Sequence, residues 1–272
     1  MAGELASHRS RAGLTQKVLL ACVAVCLSPS SAYAYRPFNL TDAAVAEPRE
    51  MELECGPLGY IVDAEGRFLV APSVILNLGI ADRWELVLEG RHFFLLKDAA
   101  RRDTLRDAAL SVKHVVRPGS LQDRNGPSVG LEVGLLLPGV GIDSGVGASF
   151  AGLVSQRWSA VTMHVNGSLE LTHDHRLAGL AGAIVEGPSR WAIRPVAELT
   201  WEQNEGRTLS GLLGAIWKVR DKLSLDGGWL MARTDGDNHR EFRAGFTWTI
   251  PLGQGGQSRP GVGSRRPPGL VM

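Results

Sequence analysis

Residues 159–172, SAVTMHVNGSLELT, alternate with a period of two: Val161, Met163, Val165, Gly167, Leu169 and Leu171 fall on one side, Thr162, His164, Asn166, Ser168, Glu170 and Thr172 on the other. Successive side chains of an extended strand point to opposite faces, so this stretch is a ribbon with one oily and one wet face. At about fourteen residues it is far longer than the usual strand of about five to six. A soluble antiparallel sheet alternates in the same way, so the number of times the pattern returns decides what the chain can fold into.

It returns about twelve times between residues 50 and 251. Met51, Leu53 and Cys55 oppose Glu50, Glu52 and Glu54, and Phe68, Val70, Val74, Leu76 and Leu78 oppose Ala71, Ser73 and Asn77. Later segments repeat the scheme, as where Ile193, Ala197, Leu199 and Trp201 oppose Arg194, Glu198 and Glu202. Segments of about ten to thirteen residues match a tilted strand crossing a bilayer. Backbone groups in hydrocarbon must all be paired, so a spanning sheet has to close on itself. The fold class predicted is therefore all-β: a transmembrane antiparallel up-and-down β-barrel of about twelve strands, even in number as bacterial outer-membrane barrels are. The competing soluble β-sandwich or lipocalin-like barrel would put the oily face inward, and the charges on many polar faces argue against it.

Connections near 80–82, 156–158, 187–190 and 220–222 are tight, whereas those near 97–106, 138–146 and 233–240 are longer. Short turns belong on the periplasmic side of such barrels, which puts the start of the first strand there. The connection at 117–127, RPGSLQDRNGP, is long for that side. Trp84, Trp158, Trp191, Trp217 and Trp248 fall at the periplasmic strand ends and Trp201 at the opposite rim, where an interfacial aromatic girdle sits. The inward, lumen-lining set is Glu85, Glu89, Arg91, Lys113, Glu132, His164, Asn166, Glu170, Arg194, Glu198, Glu202, Lys218, Asp226 and Arg243. Its signs mix, whereas a pore selective for one sign carries a ring of one charge. The set therefore fits either a weakly selective channel or a lumen crosslinked by ion pairs.

Residues 1–34 read as a cleaved secretory signal: a basic start with Arg9, Arg11 and Lys17, the apolar run Val18–Leu27, and a small-x-small site at Ala32-Tyr33-Ala34. That run is too short to span a membrane. Residues 35–49 are polar and irregular and read as a periplasmic lead-in; residues 252–272, rich in glycine, proline and arginine, read as a disordered tail. Cys22 and Cys26 lie in the signal, so Cys55 is alone afterwards and no internal disulfide is expected. A net charge of +1 gives no reason to expect a nucleic-acid partner.

Arg36-Pro37-Phe38, Thr41-Asp42-Ala43-Ala44, Ala46-Glu47-Pro48 and Glu50-Met51-Glu52-Leu53-Glu54 resemble the start of the outer-membrane barrel proteins grouped as transporters of the meta-pathway of phenol degradation. Leu78–Leu86, LGIADRWEL, resembles that family's first periplasmic turn. The resemblance covers residues 35–90. It implies an outer-membrane location and passage of small organic molecules, and it supplies no catalytic residues. The tail after Pro251 departs from the usual barrel ending, in which an aromatic residue closes the chain.

No catalytic, cofactor-binding or metal site is expected. His164, Ser168 and Glu170 share a wet face, but positions i and i+4 on a strand lie about 13 Å apart, too far for a serine–histidine bond; a triad would need neighbouring strands. His173-Asp174-His175 and Asp235-Gly236-Asp237-Asn238 lack metal-site spacing and read as turns. The expected function is a passive outer-membrane channel for small molecules. Its partners are the lipid bilayer, a small-molecule solute and, during biogenesis, the barrel-assembly machinery. A pore-less structural or surface-interaction barrel and a lipid-modifying barrel enzyme are the alternatives.

Overall fold

The computed structural model describes residues 36–63, 66–96, 104–139, 145–204 and 206–253. The predicted signal, nearly all of the predicted tail and the centres of the loops near 97–103 and 140–144 lie outside the described residues. Twelve antiparallel strands form one closed barrel. In chain order they are β1 (Glu50–Val62), β2 (Arg67–Ala81), β3 (Trp84–Leu95), β4 (Thr104–Arg117), β5 (Ser128–Leu136), β6 (Gly147–Arg157), β7 (Thr162–Leu171), β8 (Leu177–Glu186), β9 (Ile193–Gln203), β10 (Arg207–Arg220), β11 (Leu223–Thr234) and β12 (Asp237–Pro251). Each pairs with its sequence neighbours, and β1 closes on β12 with Glu50 opposite Pro251 and Val62 opposite Arg240. No helix among the described residues is long and apolar enough to cross a membrane; the strands are the spanning elements.

The sidedness follows the alternation. Val133, Leu169, Leu199, Leu209 and Leu213 are 56–68% exposed on the outer wall. Between them Ser155, Thr247, Thr249, Glu54 and Lys113 are 0–3% exposed and point inward. Grease outside and polar groups inside is the reverse of a soluble barrel, and it is the arrangement a bilayer requires.

The pleat slips where proline interrupts it. The β1–β2 register is continuous, but the outer edges of this hairpin shift by one residue, β1 against β12 between Cys55 and Leu58 and β2 against β3 between Val70 and Ser73, across Pro57 on one strand and Pro72 on the other. Proline has no N–H to give the ladder, and a bulge absorbs the extra residue. The slip moves Phe68 and Val70 inside, 7% and 1% exposed, where with Ile61 they form an apolar cluster against Phe93 and Leu95. Alternation alone placed them with the outward Val74, Leu76 and Leu78. The connection expected at 233–240 is also corrected: β11 and β12 pair out to Thr234–Asp237, joined by Asp235-Gly236. Both turn residues have positive φ, 48° and 115°, the two-residue hairpin geometry that matches strand twist.

Candidate functional site: an occupied lumen

Residues 36–48 do not form a lead-in outside the barrel; they run through its bore. An irregular segment has no ladder, so its backbone groups need side-chain partners wherever water is excluded. The inward faces of the strands supply them. The Asn39 and Leu40 N–H groups both donate to Glu198 Oε2, at 2.8 and 3.0 Å. Asn166 clasps Thr41 twice, Oδ1 accepting from its N–H and Nδ2 donating to its carbonyl, each at 2.8 Å. Ala43 N–H donates to Ser155 Oγ at 2.9 Å, and Ala46 N–H donates to Glu85 Oε2. Arg243 Nη1 donates to the Pro37 carbonyl at 2.9 Å.

Charge and shape complete the fit. Arg36 lies 3.6 Å from Asp226 and reaches Ser73 Oγ at 3.4 Å. Lys113 Nζ stands 3.7 Å from Asp42 and 3.8 Å from Glu85, and donates to Thr41 Oγ1 at 3.3 Å. These groups are almost wholly enclosed, so the pairing is what makes their burial tolerable. Phe38 packs on Val196 and Ile216. The wall is cut back where the segment touches it: a Cβ at Gly56 or Gly245 would strike the Arg36 guanidinium, and one at Gly79 the carbonyls of Ala46 and Glu47.

The long connection between β4 and β5 belongs to the same assembly. It folds into a 3₁₀ turn, Ser120–Gln122. Gln122 Nε2 donates to the Ala43 carbonyl at 2.9 Å, and Ser120 Oγ accepts from Arg157 N–H at 2.8 Å. Its length, anomalous for a simple turn, is used to brace the plug from the end of the barrel where β1 begins.

Two chambers flank the plug. The one toward the far end holds about 360 Å³ and the one toward the β1 end about 580 Å³. Asn77, Glu85 and Lys113 line both, so the septum between them is the plug with the three side chains around its Asp42–Ala46 portion.

Ser155, His164 and Glu186, on three adjacent strands, form a row: Ser155 Oγ is hydrogen-bonded to His164 Nδ1 at 2.8 Å, and His164 Nε2 lies 3.3 Å from Glu186 Oε1. Arg194 continues it, 3.5 Å from Glu186. The residue types are those of a nucleophile, base and orienting acid, drawn from neighbouring strands rather than from the His164, Ser168 and Glu170 of one strand. The serine is 0% exposed and its oxygen already accepts the Ala43 N–H. While residues 36–48 are seated, Ala43 covers the serine, and the row acts as a clamp on the plug.

Of the inward residues expected from sequence, Glu85, Lys113, Asn166, Glu198, Asp226 and Arg243 contact the plug directly, and His164 and Arg194 stand behind Ser155. Glu89, Arg91, Glu132 and Glu170 line the far chamber. Glu202 lies on the face of β9 that carries Glu198, nearer the far end, and Lys218 pairs with Asp221 at 3.0 Å at the rim where β10 ends. The residues missed are Arg36 and Asp42 on the plug, Ser155 and Glu186 in the clamp, Gln122 beneath it, and Glu54 and Glu241 on the wall. Glu54 was legible as a polar position of the first strand; the plug residues carry no periodicity that would reveal them. Trp84, Trp158, Trp191, Trp201 and Trp217 are 42–51% exposed on the outer surface and Trp248 is half-buried on it. Trp229, in mid-strand on β11, is a further outward tryptophan at 46%. His173–His175 forms the turn between β7 and β8, with His173 Nε2 on the Leu137 carbonyl at 3.1 Å.

No family model and no curated protein matches this chain. Solved structures do. The COG4313 outer membrane channel from Pseudomonas putida F1 superimposes with a TM-score of 0.53 at 11% identity, over 76% of this chain and 97% of that one. A KdgM porin does so with a TM-score of 0.50 at 7% identity, over 73% of this chain and 99% of that one. At these identities the likeness is one of fold: both are outer-membrane barrels.

Proposed function

We propose that this protein is an outer-membrane channel that passes small organic molecules down their gradient, with its own residues 36–48 as the gate. The observation that carries the reading is the pair of chambers, about 360 and 580 Å³, that share Asn77, Glu85 and Lys113 across one septum. A pathway interrupted at a single layer opens when that layer shifts; a barrel filled by its own side chains has no such layer. The β1 end faces the periplasm, as chain ends and short turns do in bacterial barrels, and the far chamber faces outside. The predicted signal carries the chain across the inner membrane, and the barrel-assembly machinery inserts it. The resemblance of residues 35–90 to the phenol meta-pathway transporters and the fold shared with solved outer-membrane channels support the same reading.

A second reading, a barrel permanently closed, is favoured by the density of hydrogen bonds on the plug. Planar-bilayer recording separates the two. The intact chain is expected to give brief openings, and a variant lacking residues 36–48 a steady, larger current. Flat traces from both, with protein that still shifts on SDS gels upon boiling, would sink the channel.

A further inference from the structure

The mixed charges of the lumen sort once they are placed in space. Every cation on the far chamber is committed to a carboxylate within 4.0 Å: Arg36 to Asp226, Arg91 to Glu241 and Asp107, Lys113 to Asp42 and Glu85, Arg243 to Glu241. Four carboxylates that line the same chamber, Glu54, Glu89, Glu132 and Glu170, have no counter-ion at that range among the described residues. Glu132 is satisfied by the Ser111 hydroxyl. Glu54 is the informative one. It is 1% exposed, its Oε1 accepts from Asn77 Nδ2 at 2.7 Å, and its Oε2 has no hydrogen-bond partner although it belongs to the chamber wall. A carboxylate oxygen held out of bulk water without a donor is costly, and a ligand that brings N–H groups relieves it. The apolar part of the wall includes Phe38 and Leu180, and an aromatic face also attracts a cation.

We infer that the far chamber binds a small organic cation, an ammonium on an apolar body, with Glu54, Glu89 and Glu170 receiving the charge and Phe38 and Leu180 the hydrocarbon. The chamber toward the β1 end continues the sign. Asp42, Glu47, Glu50, Glu52, Asp82, Glu85 and Asp123 line it against Arg83 and Lys113, so a cation leaving the first chamber meets no reversal of field on the way through. This inference rests on the channel reading for its direction of travel, but not for the binding itself.

The test uses the intact folded protein in detergent, titrated calorimetrically with benzylammonium chloride, with benzyl alcohol as its neutral counterpart and with benzoate. Benzylammonium is expected to bind at least about tenfold more tightly than benzyl alcohol, and benzoate not at all, since several carboxylates act together on one charge. The double variant Glu89→Gln/Glu170→Gln keeps shape and removes charge; it is expected to erase the preference while leaving the heat-shifted gel band unchanged. Equal binding of the amine and the alcohol, preference for benzoate, or indifference to the double variant overturns the proposal. Reversal potentials in a KCl gradient, recorded on the variant lacking residues 36–48, separate this from the channel itself. Benzylammonium binding with no current leaves the cation site standing and removes the channel. Anion-selective current removes the cation site and leaves the channel.

Discussion

Replacing Glu198 by alanine isolates the energetics of the gate. In the closed state one carboxylate oxygen takes two backbone N–H groups, from Asn39 and Leu40, at 2.8 and 3.0 Å. Leu40 is 6% exposed and Glu198 5%, so the Leu40 donor finds no water while the plug is seated, whereas Asn39 lies at the exposed edge of the contact. A hydrogen bond to a charged group contributes about 1.5–3 kcal/mol, and a buried donor left without a partner costs about 1–3 kcal/mol. Once the plug leaves, both N–H groups are hydrated and the loss vanishes, so the substitution acts on the closed state alone. Two bonds at the lower bound give about 3 kcal/mol, a shift of roughly a hundredfold in the open-to-closed ratio. Single-channel open probability reads this directly. Glu198→Gln retains an acceptor and is expected to fall between the two. An open probability for Glu198→Ala within about threefold of the parent would refute the reasoning, because a contact worth under about 0.7 kcal/mol cannot be holding the plug.

Gly79→Val drives a side chain into the Ala46 and Glu47 carbonyls; overpacking of about 1–3 kcal/mol should raise the resting current without melting the barrel. Lys113→Met strands the enclosed carboxylates of Asp42 and Glu85, and the temperature of the gel-shift transition should fall by an amount that corresponds to about 3–5 kcal/mol, with Lys113→Met/Glu85→Gln recovering part. Leu213→Arg, on the outer wall in mid-strand at 68% exposure, should cost about 2–4 kcal/mol in unfolding from lipid vesicles.

What could be read from the sequence was whatever repeats. The twelve strands and their sidedness were legible because period-two alternation is set by backbone geometry and recurs on every strand. The exceptions mark where another constraint overrides the period. Pro57 and Pro72 sit where β1 slips against β12 and β2 against β3, so Phe68 and Val70 change sides. Asp235-Gly236 is so tight a turn that its flanks, polar enough to read as loop, pair as strand. The plug was illegible for a different reason. Its order comes from side chains of residues far along the chain, Glu198, Asn166 and Ser155, at separations of 112–159 residues. No local pattern encodes partners at that distance.

The plug is continuous with β1, which begins at Glu50, so it is a leash as well as a stopper. Thirteen residues, 36–48, reach at most about 45 Å when fully extended. A displaced segment therefore stays near its berth at an effective concentration on the order of millimolar. Reclosing is then first order and needs no second protein, no energy source and no signal to end each opening. Flux would be metered by a self-resetting valve whose dwell times are written in the same few contacts that hold it shut.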